Sequence, residues 1–176
     1  MSVPYIKLIT MHPKANKYIK QLNLKKHPEG GYYKEVYRSG EIILPEHLPK
    51  RYKQSRSFST SIYFLLEGKQ FSSFHILKSD ELWHFYDGST VLVYIINQKG
   101  KLSVKRLGRE KDSDLQLAIE KQNWFAAELK DKKSFSLFGC TVSPGFEFDD
   151  FEIGKRDDLI QKFPQHSALI KRLTKS

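Results

Sequence analysis

The chain has 176 residues and a mass of 20.6 kDa, enough for one domain that buries a sizeable core. Its 12 Phe, 9 Tyr and 2 Trp, set against 7 Pro and 10 Gly, exclude a disordered or collagen-like chain. Lys and Arg total 30 and Asp and Glu 20, a net +10, but the bases are scattered between acids without a recognition helix or stacking platform. A lysine-coated surface is expected, with no nucleic-acid partner. The longest apolar runs, 62–66 and 91–96, fall far short of the ~20 residues that cross a bilayer, so no membrane span is expected. The opening MSVPYIKLITMHPK has no long apolar stretch and no small-residue cleavage site, and the single Cys140 cannot form an internal disulfide. A reducing, cytoplasmic compartment is the expectation.

In chain order, Ala15, Tyr18, Ile19 and Leu22 fall at i, i+3, i+4 and i+7, which predicts a short helix from near Pro13 packing as a lid. His27-Pro28-Glu29-Gly30-Gly31 breaks that helix and turns the chain into a predicted strand, 32–38. Residues 41–55 have no period of either kind and read as a loop. Short β-branched or aromatic runs follow at 58–66, 71–77, 81–87, 89–97, 101–107, 115–119, 123–129 and 134–142, separated by turn signals about every ten residues. That cadence predicts an antiparallel sandwich or barrel, most simply a β barrel. The run 91–96 is apolar on both parities, so both faces of that strand must be covered, by a second subunit or sheet or by the terminal helices. From Arg156 to Leu173 the pattern predicts two helical turns, a break at Pro164 and a final helix. No linker or repeat divides the chain, so residues 1–176 are expected to form a single domain.

The densest chemistry lies between Ser73 and Gly88, where His75, His84, Glu81, Asp80, Trp83 and Tyr86 crowd together. Strand alternation places Ser73, His75 and Leu77 on one face, and separates Glu81, Trp83 and Phe85 from Leu82, His84 and Tyr86. An imidazole and a carboxylate on adjacent strands serve a metal site, an acid/base pair or plain structure.

His75, Glu81 and Gly88, at their spacing, resemble the first cupin motif, G-x5-H-x-H-x3,4-E-x6-G. HPEGGYY at 27–33, VYRS at 36–39, IYFLL at 62–66, FHILKSDELWHFYDG at 74–88, WFAAEL at 124–129 and FSLFGCTVSPGFEFDDFE at 135–152 resemble a cupin family of unknown function. The resemblance implies a mainly β fold, a cupin (RmlC-like) jelly-roll β barrel with short N- and C-terminal helices, a homodimer and a pocket inside the barrel. Leu77 stands where a metal-binding cupin carries its second His, and Lys121, Asn123 and Ala126 occupy second-motif slots. Two of four ligands remain, fewer than the three a catalytic metal normally has, so no cofactor is expected and a divalent metal is the less favoured alternative.

The candidate catalytic residues are therefore His75 as base, Glu81 with a carboxyl raised by desolvation, and His84 and Tyr86 if a bulge brings their parity inward. Trp83, Phe85 and Trp124 could stack on a ligand, Arg38 and Arg56 could clamp a phosphate or carboxylate, and Glu29 in the HPEGG turn could either bind a ligand or cap the turn. Each has a bland counterpart: satisfied wall histidine, exposed acid, core aromatic, surface ion pair. Cys140 reads as a buried small hydrophobe. The expected function is binding of a small sugar-nucleotide-like or aromatic molecule, with metal-independent epimerase or isomerase chemistry. The alternatives are a non-catalytic binding module and a metal-dependent enzyme.

Overall fold

A computed structural model describes residues 11–175. Most of the opening stretch, read above for a targeting segment, lies outside the described residues. Helix α1 (Pro13–Gln21) starts with proline in its first turn, and the His12 ring accepts from the Lys14 N–H. The strands follow as β1 (Lys25–Lys26), β2 (Tyr32–Arg38), β3 (Ile42–Ile43), β4 (Arg56–Ser57), β5 (Thr60–Glu67), β6 (Phe71–Leu77) and β7 (Asp80–Gly88). Next come β8 (Val91–Ile96), β9 (Leu102–Leu107), β10 (Gln116–Ile119), β11 (Trp124–Leu129), β12 (Phe135–Ser143) and β13 (Phe151–Ile153), before helices α2 (Arg156–Lys162) and α3 (Ser167–Arg172).

Two antiparallel sheets face one another in a jelly-roll sandwich. One has the order β1-β2-β5-β12-β7-β10 and the other β13-β6-β11-β8-β9, with β3 and β4 paired apart. Among the described residues the sheets are not joined into a continuous ring of hydrogen bonds, so the expected jelly roll is present as a sandwich. The eight predicted runs fall on β5 to β12, each within about three residues at its ends. The loop expected at 41–55 contains β3 and a single 3-10 turn at Pro45–His47. Their two-residue pairing is too short to leave a periodic signal.

The space between the sheets is packed with Trp83, Phe85, Val91, Val93, Leu107, Phe125, Leu129 and Phe138, and the Trp83 ring stacks on Phe138 at 4.6 Å. Outside the five-stranded sheet, Phe74, Tyr94, Ile96, Trp124 and Ala126 pack under Leu159, Phe163, Ile170 and Leu173 of the C-terminal helices and the turn between them. The double coverage of β8 is thus met within the chain. Helix α1 covers Leu65, Phe135 and Leu137 on the outer face of the six-stranded sheet, so it is not a lid over the interior. No helix of the described residues is long and apolar enough to cross a membrane.

Candidate functional site

The inward ladder of the six-stranded sheet changes character along its length. On β7 it reads Glu81, Trp83, Phe85; opposite these on β12 lie Val142, Cys140 and Phe138, and beyond them on β5 Thr60, Ile62 and Phe64. Toward the β6–β7 turn the side chains become smaller or polar, and they leave a cavity of about 230 Å³. Its wall includes His75, Leu77, Glu81, Cys140, Glu29 and Phe64.

Two irregularities set the site. Between Phe125 and Ala127 the β6–β11 register shifts from His75 to Ser72, so β6 carries an extra residue there. Ser72 therefore turns inward and donates to Glu29 Oε1 at 2.9 Å, whereas Ser73, expected on the His75 face, turns out and donates to the Leu173 carbonyl. The bulge also brings the Ser73 carbonyl to 2.7 Å from His75 Nδ1. A carbonyl only accepts, so Nδ1 carries the proton and Nε2 presents its lone pair. On β2 a second shift, between Glu35 and Tyr37, sends Tyr33, Glu35 and Arg38 all to the cavity side although their parities differ.

Glu29 reaches the cavity because the HPEGG turn lies flush on this bulge. The Ser73 N–H donates to the Glu29 carbonyl at 2.9 Å, and Gly30 sits at φ +126° with a would-be Cβ 2.0 Å from the Phe71 carbonyl oxygen. Only glycine fits there. His75 Nε2 is then 3.4 Å from Glu29 Oε2, with the His75 ring packed on Phe125 at 4.0 Å. Burial holds His75 below the usual histidine range and raises the Glu29 carboxyl. Burial likewise pushes Glu81 up to about 7, against the pull of His75. Glu81 Oε2 and the Trp83 indole N–H are buried without a hydrogen-bond partner. Cys140, beside Glu81, has its thiol pushed well up by the same burial.

The mouth is formed by the acidic-aromatic segment after β12. Phe146, Phe148 and Phe151 pack edge to face at 5.2 to 6.2 Å, and His27 lies 4.5 Å from Tyr33 and 6.4 Å from Phe148. This segment is pinned by a buried ion pair: Arg56 donates to both carboxylate oxygens of Asp150 at 2.6 and 2.7 Å, and to the Gln54 and Ser55 carbonyls.

Of the residues expected at the site, His75, Glu81, Glu29 and Arg38 line the cavity. Arg38 is not a free anion clamp, since its guanidinium is taken up by Glu35, by Glu147 at 2.6 Å and by the Phe146 carbonyl. Arg56 is structural, behind the mouth. His84 and Tyr86 stay on the outer face: β7 alternates regularly from Glu81 to Phe85, and its one register shift, between Phe85 and Asp87, comes too late to turn His84 inward; His84 Nε2 lies 3.4 Å from Thr141 Oγ1, and Tyr86 lies over Gly139. Trp83 and Phe85 are core, and Trp124 packs outside the sandwich against the C-terminal helices. His27, Tyr33, Phe146, Phe148 and Phe151 were not singled out, although they sit in the HPEGGYY and GFEFDDFE motifs. The signal was an aromatic cluster interrupted by acids, which alternation alone reads as an edge strand.

Leu77 lines the cavity at the second-histidine position, and among the described residues no three His, Cys, Asp or Glu side chains are arranged to hold a metal. The donor set does not fit a cupin metal centre.

The cupin superfamily model described as DUF985 matches residues 16–154. The chain belongs to this cupin family. A crystal structure of a Shewanella oneidensis protein superposes on the cupin with a TM-score of 0.83 at 37% identity, covering 92% of this chain and 97% of that one. A hypothetical protein from Leishmania major is similar over 92% of this chain and 99% of its own, with a TM-score of 0.82 and 31% identity. Oxalate decarboxylase from Bacillus subtilis shares the fold at 14% identity and a TM-score of 0.53, over 84% of the cupin and 36% of its own chain. No curated protein matches the chain.

Proposed function

We propose that this cupin binds a small molecule in the cavity and moves a proton on it without a metal, as an isomerase or epimerase does. The observation that carries the reading is His75, buried between two carboxyls, anchored through Nδ1 on Ser73 and turning an unprotonated Nε2 toward Glu29. A neutral imidazole in that setting is a base, and a carboxyl titrating near 7 is half protonated at neutral pH and can return the proton. On a substrate with a C–H beside a carbonyl, His75 Nε2 takes the carbon-bound proton while Glu81 protonates the carbonyl oxygen, giving the neutral enol. Reversal on the other carbon or the other face completes the isomerisation. Tyr33, on the cavity wall, replaces Tyr86 as the tyrosine within reach of a ligand.

The test is exchange of carbon-bound hydrogen in D2O, followed by NMR over a panel of small aldoses, ketoses and amino ketones. One of them should exchange, and His75→Asn should slow it by about 10² to 10⁴-fold, the usual contribution of a general base. Ligand binding with no exchange for any compound would favour the passive module, which the aromatic mouth also suits. A metal-dependent enzyme is the weaker alternative, because among the described residues no three donor side chains converge as a metal requires.

A further inference from the structure

We infer that the ligand is a small organic cation, a protonated amine whose charge sits against Glu29 and Glu81 and whose carbon part lies among the aromatic rings of the mouth. This rests on reading the cavity as a ligand site and not on the isomerase step, in which Glu81 is protonated; a cation held against an ionised Glu81 favours the binding module over that step.

The charge distribution points there. The chain carries +10 overall, yet neither Glu29 nor Glu81 has a Lys or Arg within ion-pair distance among the described residues. Both are more than nine-tenths buried and line the cavity, and Glu81 Oε2 makes no hydrogen bond, its neighbouring donors being only the weak Cys140 thiol and the Trp83 indole. A buried carboxyl without a partner is costly, so the site is electrostatically incomplete. The lining bases are both exposed and engaged: Lys25 lies over the Tyr33 ring at 5.2 Å, and Arg38 is held by Glu35 and Glu147. Desolvation keeps His75 and His27 neutral, so beyond Lys25 and Arg38 at the mouth an anion meets no charged base deep in the cavity. A cation meets two carboxyls, the Nε2 lone pair and the aromatic side chains of Tyr33, Phe146, Phe148 and Phe151 on the wall. The cavity, about 230 Å³, is below the ~300 Å³ at which drug-sized pockets begin, so the ligand is small. A cation next to Glu81 favours its ionised form, and binding therefore releases a proton to solvent.

The experiment is isothermal titration of the full chain at pH 6 and pH 8 with three probes of similar shape: benzylamine, benzyl alcohol and benzoate. Benzylamine should bind about tenfold tighter than either of the others at pH 8. Its affinity should rise by up to about tenfold from pH 6 to pH 8, because a group titrating near 7 goes from mostly protonated to mostly ionised while the amine stays charged. The groups facing Glu81 are His75 on β6, Glu29 in the HPEGG turn, Cys140 on β12 and the Trp83 indole. Of these only His75 gains charge at low pH, and it would weaken the cation in the same direction. Glu81→Gln should remove most of the amine preference, and Glu29→Gln part of it. Benzoate binding best, an alcohol binding as well as the amine, or affinity falling as pH rises would overturn the cation while leaving a ligand site. Failure of all three probes to bind would overturn the cation, and the exchange test on the sugar panel then decides the ligand site separately. The wild-type chain decides between these outcomes even if a variant fails to fold.

Discussion

Toward the β7–β8 turn the sandwich is filled solid by Leu66, Val91, Leu107, Leu129 and Phe138, all buried to 2% exposure or less, whereas toward the β6–β7 turn the same two sheets enclose a cavity walled by the buried His75, Glu29 and Glu81. Backbone geometry does not separate the two ends, since both belong to the same ladders of β5, β12 and β7. Side-chain volume does: Phe64, Phe138 and Phe85 at one level give way to Thr60, Val142 and Glu81 at the other. One end spends its burial on stability, and the other leaves carboxyls desolvated and a volume unfilled, the usual sign of a site kept for binding or chemistry.

The contrast can be broken by substitution. At the solid end, Phe138→Ala removes a ring stacked on Trp83 and should cost about 3–5 kcal/mol, read from urea unfolding; a loss below about 1 kcal/mol would mean that this end is not well packed. At the mouth, Asp150→Ala leaves the Arg56 guanidinium buried and unpaired, and should cost about as much, about 3–5 kcal/mol. Arg56 and Asp150 should then behave as one unit in a double-mutant cycle. Strict additivity would deny the pair.

Inside the cavity the sign reverses. Glu81 has its carboxyl raised from an ordinary 4.5 to about 7 by burial. The unfolded chain therefore gives up this proton first as pH rises, and stability falls between about pH 4.5 and about pH 7. Glu81→Gln should stabilise the protein by up to about 3 kcal/mol at pH 8 and by little at pH 4.5, seen as a gain in Tm that grows with pH. A gain that is flat with pH would place the effect in packing. The smallest change is expected for Phe148→Ala, a residue 53% exposed at the mouth: stability within about 0.5 kcal/mol of wild type, but benzylamine bound several-fold more weakly. Unchanged affinity would remove Phe148 from the ligand box.

Alternation and turn spacing were enough to place β5 to β12, because half-buried antiparallel strands write period two directly into the chain. The same periodicity misplaced Ser73 and could not unite Glu35 with Arg38, since a bulge inverts parity without a local signal. The short strands β1, β3 and β4 were missed for a related reason: two residues hold less than one clear period, and their pairing is decided by what lies alongside them. Arg56 looked like a surface clamp because its partner, Asp150, is 94 residues away.

Composition, alternation and motif spacing determined the fold class, the run of strands, the terminal helices and the pairing of His75 with Glu81 as the centre of interest, because each follows from local backbone periodicity or from a motif within a few residues. Tertiary structure decided which strand face was inside, brought Glu29 and the Phe146–Phe151 segment to His75, and left His84, Tyr86 and Trp124 outside. Burial is a property of the assembled sheets: a carboxyl becomes a raised, unpaired group only when distant strands close water away from it.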